Sequence, residues 1–158
     1  MDFYLGVKLL HILSATLLFG TGLGTAFFMY RAYRSENVEA MKVTTENVVL
    51  ADWVFTTPAI VVQILSGVWL TQRLGISYNS VWFVTVIGLF CLVGACWTPV
   101  VWIQIKVRNL IRQNRPINEY KSLMSAWIAL GIPAFLSVLV LFVLMVYRPW
   151  TQSIIFAN

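Results

Sequence analysis

The chain alternates between long apolar runs and short basic stretches, and that alternation organises everything else in it. From Leu9 to Tyr30 there is no Asp, Glu, Lys or Arg, and the same holds between Asp52 and Arg73, from Leu74 to Ile105 and from Ser122 to Tyr147. A helix needs about 20 apolar residues to cross the hydrocarbon of a bilayer, and each run supplies them. Runs of this length without period-two alternation do not read as strands. The pattern predicts an all-α bundle of four transmembrane helices, at about residues 3–31, 49–72, 80–106 and 122–148, forming a single domain over residues 1–158. Gly75-Ile76-Ser77-Tyr78-Asn79-Ser80 and Asn114-Arg115-Pro116 read as turns between them. The stretch from Glu36 to Leu50 carries Val38, Met41, Val48 and Val49 at roughly helical spacing among polar residues. It reads either as an interfacial helix or as an extension of the second rod.

Composition and charge placement sharpen the picture. Apolar residues make up 59% of the chain and charged ones 11%, against about 25% charged in soluble domains, so lipid is the solvent for most of the surface. A net charge of +5 would fit a nucleic-acid binder, but the placement of the charges argues otherwise. Arg31, Arg34 and Lys42 lie in the first loop, and Lys106, Arg108, Arg112, Arg115 and Lys121 in the last. The positive-inside rule makes those loops cytoplasmic and puts both termini outside. Anionic lipid, not nucleic acid, is the partner such loops suit. No cleavable signal peptide is evident. Cys91 and Cys96 do not share a helical face and read as buried thiols, not as a disulfide or metal pair. Trp53, Trp82 and Trp150 fall at expected interfaces. No Walker-type loop, HExxH, CxxC or CxxCH motif is present, which removes nucleotide, zinc-hydrolase, thioredoxin-like and c-type haem chemistry.

What remains is chemistry inside the membrane. His11 is the single histidine and lies within the first apolar run, where an ionisable side chain marks a candidate functional site. Its helical neighbours Ser14, Ala15, Leu18, Gly22 and Thr25 are mostly small, so another helix or a planar cofactor can come close. An imidazole facing such a groove suits an axial ligand of haem b, and equally a histidine hydrogen-bonded to a neighbouring helix. On the second helix Asp52, Thr56, Ala59, Gln63 and Ser66 recur at steps of four and three and line one inward face. Gln63 lies at about the depth of His11, so a contact between them is expected. Asp52 is expected to pair with Arg31 or Lys106, or to stand as an N-terminal helix charge. Pro58 should loosen the helix and free a carbonyl. At the outer ends Lys8, Arg73 and Arg148 are candidates to meet haem propionates, and Met145 is a candidate second axial ligand. One histidine rules out bis-histidine ligation within a monomer; only a homodimer would allow it. Gly20 and Gly24 form a GxxxG pair suited to helix–helix association.

The segments KLLHILSATLLFGTGLGTAFFM, NVVLADWVFTTPAIVVQILSGVWL, GACWTPVVWIQIKVRNL and ALGIPAFLSVLVLFVLMVYRPW resemble the bacterial integral-membrane family known as domain of unknown function 2269, over nearly the whole chain. More distantly, the start at Lys8 and His11 and the closing Tyr147-Arg148-Pro149 resemble HemJ-type protoporphyrinogen oxidases, with Leu18 or Phe19 where those proteins commonly carry a Trp. The first helix also resembles that of CopD-type copper-resistance proteins. The resemblance implies a multi-pass protein of the bacterial inner membrane. It also implies haem b held by His11 for redox or haem-biosynthesis-related work, as in a HemJ-like oxidoreductase. Two other readings stand beside it: a cofactor-free accessory subunit of a membrane complex, and a metal or small-lipid carrier using His11, Gln63 and Met145.

Overall fold

The structure is a computed structural model that describes residues 3–116 and 118–147; Arg148, Trp150 and the tail after them lie outside the described residues. It contains α1 (Phe3–Arg34), α2 (Val38–Ala51), a π-helical turn (Asp52–Thr56), α3 (Thr57–Arg73), α4 (Val81–Arg112) and α5 (Asn118–Tyr147). There is no strand among the described residues. α2, the π turn and α3 form one continuous rod, so four rods are long and apolar enough to cross a membrane. One end of the bundle carries Lys8 and Arg73 and is called here the terminal end. The other carries the two basic loops and is called the loop end.

The rods are longer than the apolar runs require. At 30–36 residues each they measure about 45–54 Å, against about 30 Å of hydrocarbon. The excess lies mainly at the loop end: α1 runs on to Arg34, the second rod starts at Val38, α4 continues to Arg112 and α5 begins at Asn118. Glu36–Leu50 is therefore mostly an extension of the second rod. Met41, Thr45, Val48 and Val49 are buried on one face of α2, which is why the extension holds as helix. The tightly buried core sits toward the loop end, where α2 packs against both α1 and α4. Met29, Met41, Val48, Ile103, Val107, Ile111, Tyr120, Met124 and Trp127 form that cluster.

The turns follow the local sequence. Asn37 caps α2 by accepting from the Ala40 backbone N–H at 3.0 Å, and Ser80 caps α4 by accepting from Phe83 at 3.2 Å. Gly75 closes the turn after α3 at φ +63°, a conformation glycine adopts without steric cost. The π turn has an equally local cause. Pro58 brings no N–H, and its ring would clash with the carbonyl four residues back. The backbone widens there, and the Thr57 N–H bonds the Asp52 carbonyl five residues away.

Packing divides the rods into two hairpins. α1 packs on α3 and α4 on α5, while α2 joins the hairpins by packing against both α1 and α4. α3 makes no extended contact with α4 or α5, and α1 touches α5 only briefly, where Phe19 lies against Phe135 and Phe142. The hairpins are thus bound at the loop end and loosely associated toward the terminal end. Trp82, in the first turn of α4, is buried, and its Nε1–H donates to the Leu144 carbonyl at 2.9 Å, tying α4 to α5. Cys91 is exposed and Cys96 buried, both as free thiols.

Candidate functional site

The α1–α3 contact is built around His11. Four side chains form a directional hydrogen-bond chain whose sense can be derived from the distances. Ser66 Oγ lies 2.5 Å from the Val62 carbonyl, which can only accept, so the hydroxyl hydrogen is used there. His11 Nδ1 is 2.8 Å from the same oxygen and must therefore be the donor. Nε2 is then the lone-pair nitrogen, and the Gln63 Nε2–H group donates to it at 3.1 Å. At the other end of the amide, Gln63 Oε1 accepts from Ser14 Oγ. The chain reads Ser14 to Gln63 to His11 to Ser66 to the Val62 carbonyl.

Each member is there for a local reason. His11 and Ser14 are three residues apart on one face of α1, and Gln63 and Ser66 three apart on the facing side of α3. The single Ser14 hydroxyl hydrogen is shared between Gln63 Oε1 and the His11 carbonyl, which lies 2.9 Å away. Gly67 completes the seat: a Cβ there would stand 3.3 Å from His11 Cε1, so only glycine leaves the ring its present place without a shift.

The other sequence candidates scatter. Lys8 and Arg73 are exposed at the terminal end, and neither forms an ion pair among the described residues. Arg73 lines an open cleft of ≈ 300 Å³ with Trp69 and Gln72, on which Phe3 sets its ring edge against Trp69 at 5.3 Å. Met145 is 37% exposed on α5, which touches α1 only briefly. The inward stripe of the second rod holds, with Asp52, Thr56, Ala59 and Ser66 buried. Asp52, however, pairs with neither expected cation. Its Oδ1 accepts from Thr56 Oγ1 at 2.9 Å, while Lys106 lies 4.7 Å over the Trp102 ring and Arg31 is exposed. The four-and-three spacing placed Gln63 and Ser66 on one face; the parts played by Ser14 as partner of the Gln63 amide and by Gly67 as seat of the ring were not legible without α3 in position.

The donor chemistry suits a Lewis acid, but the space does not suit a porphyrin. A histidine with Nδ1–H anchored on an oxygen presents Nε2 as metal ligands do. Here Nε2 faces the amide of Gln63 between two packed helices, and the ring edge lies against Gly67. No group of three or more His, Cys, Asp or Glu side chains capable of holding a metal ion occurs among the described residues.

Apolar rods of membrane-spanning length around a small buried polar centre define an integral membrane protein of the helical-bundle class. Residues 5–149 match the family described as predicted integral membrane protein, domain of unknown function 2269, and the chain belongs to it. No curated protein and no solved structure matches the chain.

Proposed function

We propose that the protein works at His11, in the half of the bundle facing away from the cytoplasm, and that Nε2 is the nitrogen it works with. The observation that carries this reading is the polarity of the chain: Ser66 takes the Nδ1–H, so the Nε2 lone pair meets only a neutral amide donor. A proton or a Lewis-acidic centre is a stronger partner for a lone pair than an amide N–H, and either displaces Gln63. Haem b is the cofactor that the resemblance of the first helix implies; it would supply one-electron redox chemistry, and His11, Lys8 and Arg73 are the residues that would hold it. Holding it demands that Gln63 withdraw and that α1 and α3 separate. The orientation follows the basic loops, which face the cytoplasm and its anionic lipid, in a bacterial inner membrane. A second reading has its own support. The hairpins are loosely joined toward the terminal end, and a Cβ on Gly20 or Gly24 would meet nothing within 4 Å, leaving α1 open to a helix of another membrane protein or a second copy.

Oxidised and reduced absorption spectra of the detergent-purified protein, beside its His11→Ala variant, test the reading. A Soret band that the variant loses establishes haem at His11. A colourless protein that co-purifies with a stable membrane partner establishes the accessory role, with the polar chain serving to lock α1 on α3.

A further inference from the structure

One stripe of α4 at the loop end stays exposed. Trp102, Lys106, Asn109 and Gln113 follow one another at steps of four, three and four, so they share a face of the helix. That face lies away from Ile103, Val107 and Ile111, which are buried in the core. With Ile105 and Leu110 the four line an open cleft of ≈ 320 Å³. Lys106 is the first charge after the long apolar run of α4, and Trp102 stands one turn before it, 57% exposed. An indole at the end of such a run sits at the boundary between hydrocarbon and headgroups. The cleft therefore opens at the level where the phosphates of a leaflet lie.

The polar groups of the cleft are complementary to an anion. The Lys106 ammonium lies 4.7 Å over the Trp102 ring, which restrains an otherwise flexible side chain. It has no carboxylate partner: the ion pairs among the described residues join Arg112 to Glu46 and Arg115 to Glu119. Arg108 donates through Nε and Nη2 to Asn109 Oδ1, each at 3.3 Å. The Asn109 oxygen is thus engaged, its NH₂ remains as a donor, and a second positive charge stands beside the cleft. None of the lining residues is acidic. Two cations and an amide donor suit a phosphodiester, whereas the ammonium of a zwitterionic headgroup would meet like charges and no carboxylate. We propose that this stripe seats the headgroup of one anionic phospholipid, its phosphate on Lys106 and the Asn109 NH₂ and its upper acyl chain along Trp102 and Ile105. The inference rests on the part of the reading above that brings the basic loops to anionic lipid, and turns that diffuse attraction into a single site; it owes nothing to His11.

The test is native mass spectrometry of the full chain released from detergent, titrated with phosphatidylglycerol, phosphatidylcholine or inorganic phosphate, beside Lys106→Gln and Lys42→Gln. Each variant removes one positive charge at the loop end, and Lys42 is exposed on α2, outside the cleft. The expected result is one phosphatidylglycerol retained per chain in preference to phosphatidylcholine. Its binding should weaken about fivefold or more in Lys106→Gln and change little in Lys42→Gln. Equal losses in the two variants overturn the single site and leave the diffuse attraction of the loops standing. Phosphatidylglycerol and phosphatidylcholine retained alike by the wild type overturn both, without reliance on any variant. Inorganic phosphate or a second copy of the chain retained in place of lipid, in a manner that requires Lys106, overturns the choice of occupant.

Discussion

Because the chain has one histidine, the proton on His11 can be read directly. A protein isotope-labelled at histidine nitrogen gives one imidazole pair in a nitrogen-detected NMR spectrum, and the hydrogen-bond chain predicts Nδ1 protonated and Nε2 bare. The informative perturbation is Ser66→Ala. It removes the acceptor of Nδ1–H at 2.8 Å, but the network has a way to recover. If the Gln63 amide turns over, its Oε1 accepts from a proton moved to Nε2, and its NH₂ faces Ser14 Oγ, which must yield a few tenths of an ångström from 2.5 Å. One interhelical bond is lost and one re-formed, so the cost is about 0.5–1 kcal/mol, near the ~0.6 kcal/mol average for such bonds in membrane bundles. Gln63→Leu has no such recovery: two bonds disappear and Nε2 is stranded, at about 1–2 kcal/mol, while Nδ1–H stays in place. The expected spectra are Nδ1–H in the wild type, Nε2–H in Ser66→Ala and Nδ1–H in Gln63→Leu. Detergent-unfolding midpoints should fall in the same order of severity. A wild-type protein carrying its proton on Nε2, or a Ser66→Ala variant that costs more than Gln63→Leu, refutes the derived chain.

Other outcomes follow from single contacts. Gly67→Ala should be tolerated, since the imidazole edge needs to give only slightly at 3.3 Å, whereas Gly67→Leu should part α1 from α3 and lower the Tm well beyond the alanine variant. Trp82→Phe loses the 2.9 Å bond to Leu144 and should cost about 1 kcal/mol in unfolding titrations, a larger effect than Glu46→Gln. The Glu46–Arg112 pair is partly exposed on both sides, and removing it should change stability by less than about 1 kcal/mol. For orientation, single cysteines at Ser77 and Asn114, placed in a background with Cys91→Ala and Cys96→Ala, should label from opposite faces of sealed cells. An impermeant maleimide should reach position 77 and spare position 114; the reverse pattern overturns the assignment of the basic loops to the cytoplasm.

What this sequence determined by itself was the part of the structure set by solvent. Charge is so costly in hydrocarbon that four charge-free runs fix four spans, and the basic residues bounding them mark which ends lie together. The step pattern from Asp52 to Ser66 likewise showed that one face of the second rod turns inward, because polar atoms there have nowhere else to go. The sequence also contained the His11–Gln63 contact in outline, since both lie at one depth on neighbouring spans. Pro58 announced its distortion, which the backbone absorbs as a π turn. The tertiary structure decided everything that depends on which helix stands beside which. α1 pairs with α3 and α4 with α5, a choice lipid-facing surfaces of similar composition do not encode. That choice seats the imidazole on Gly67 and puts Ser66 and Gln63 at its two nitrogens. It also buries the Trp82 ring where its Nε1–H ties α4 to α5, and leaves Asp52 bonded to Thr56 in place of the expected cations. The lengthening of the rods was equally a tertiary matter. Of the two helical readings of residues 36–50, the structure takes the extension of the second rod, because α2 has a core to cover.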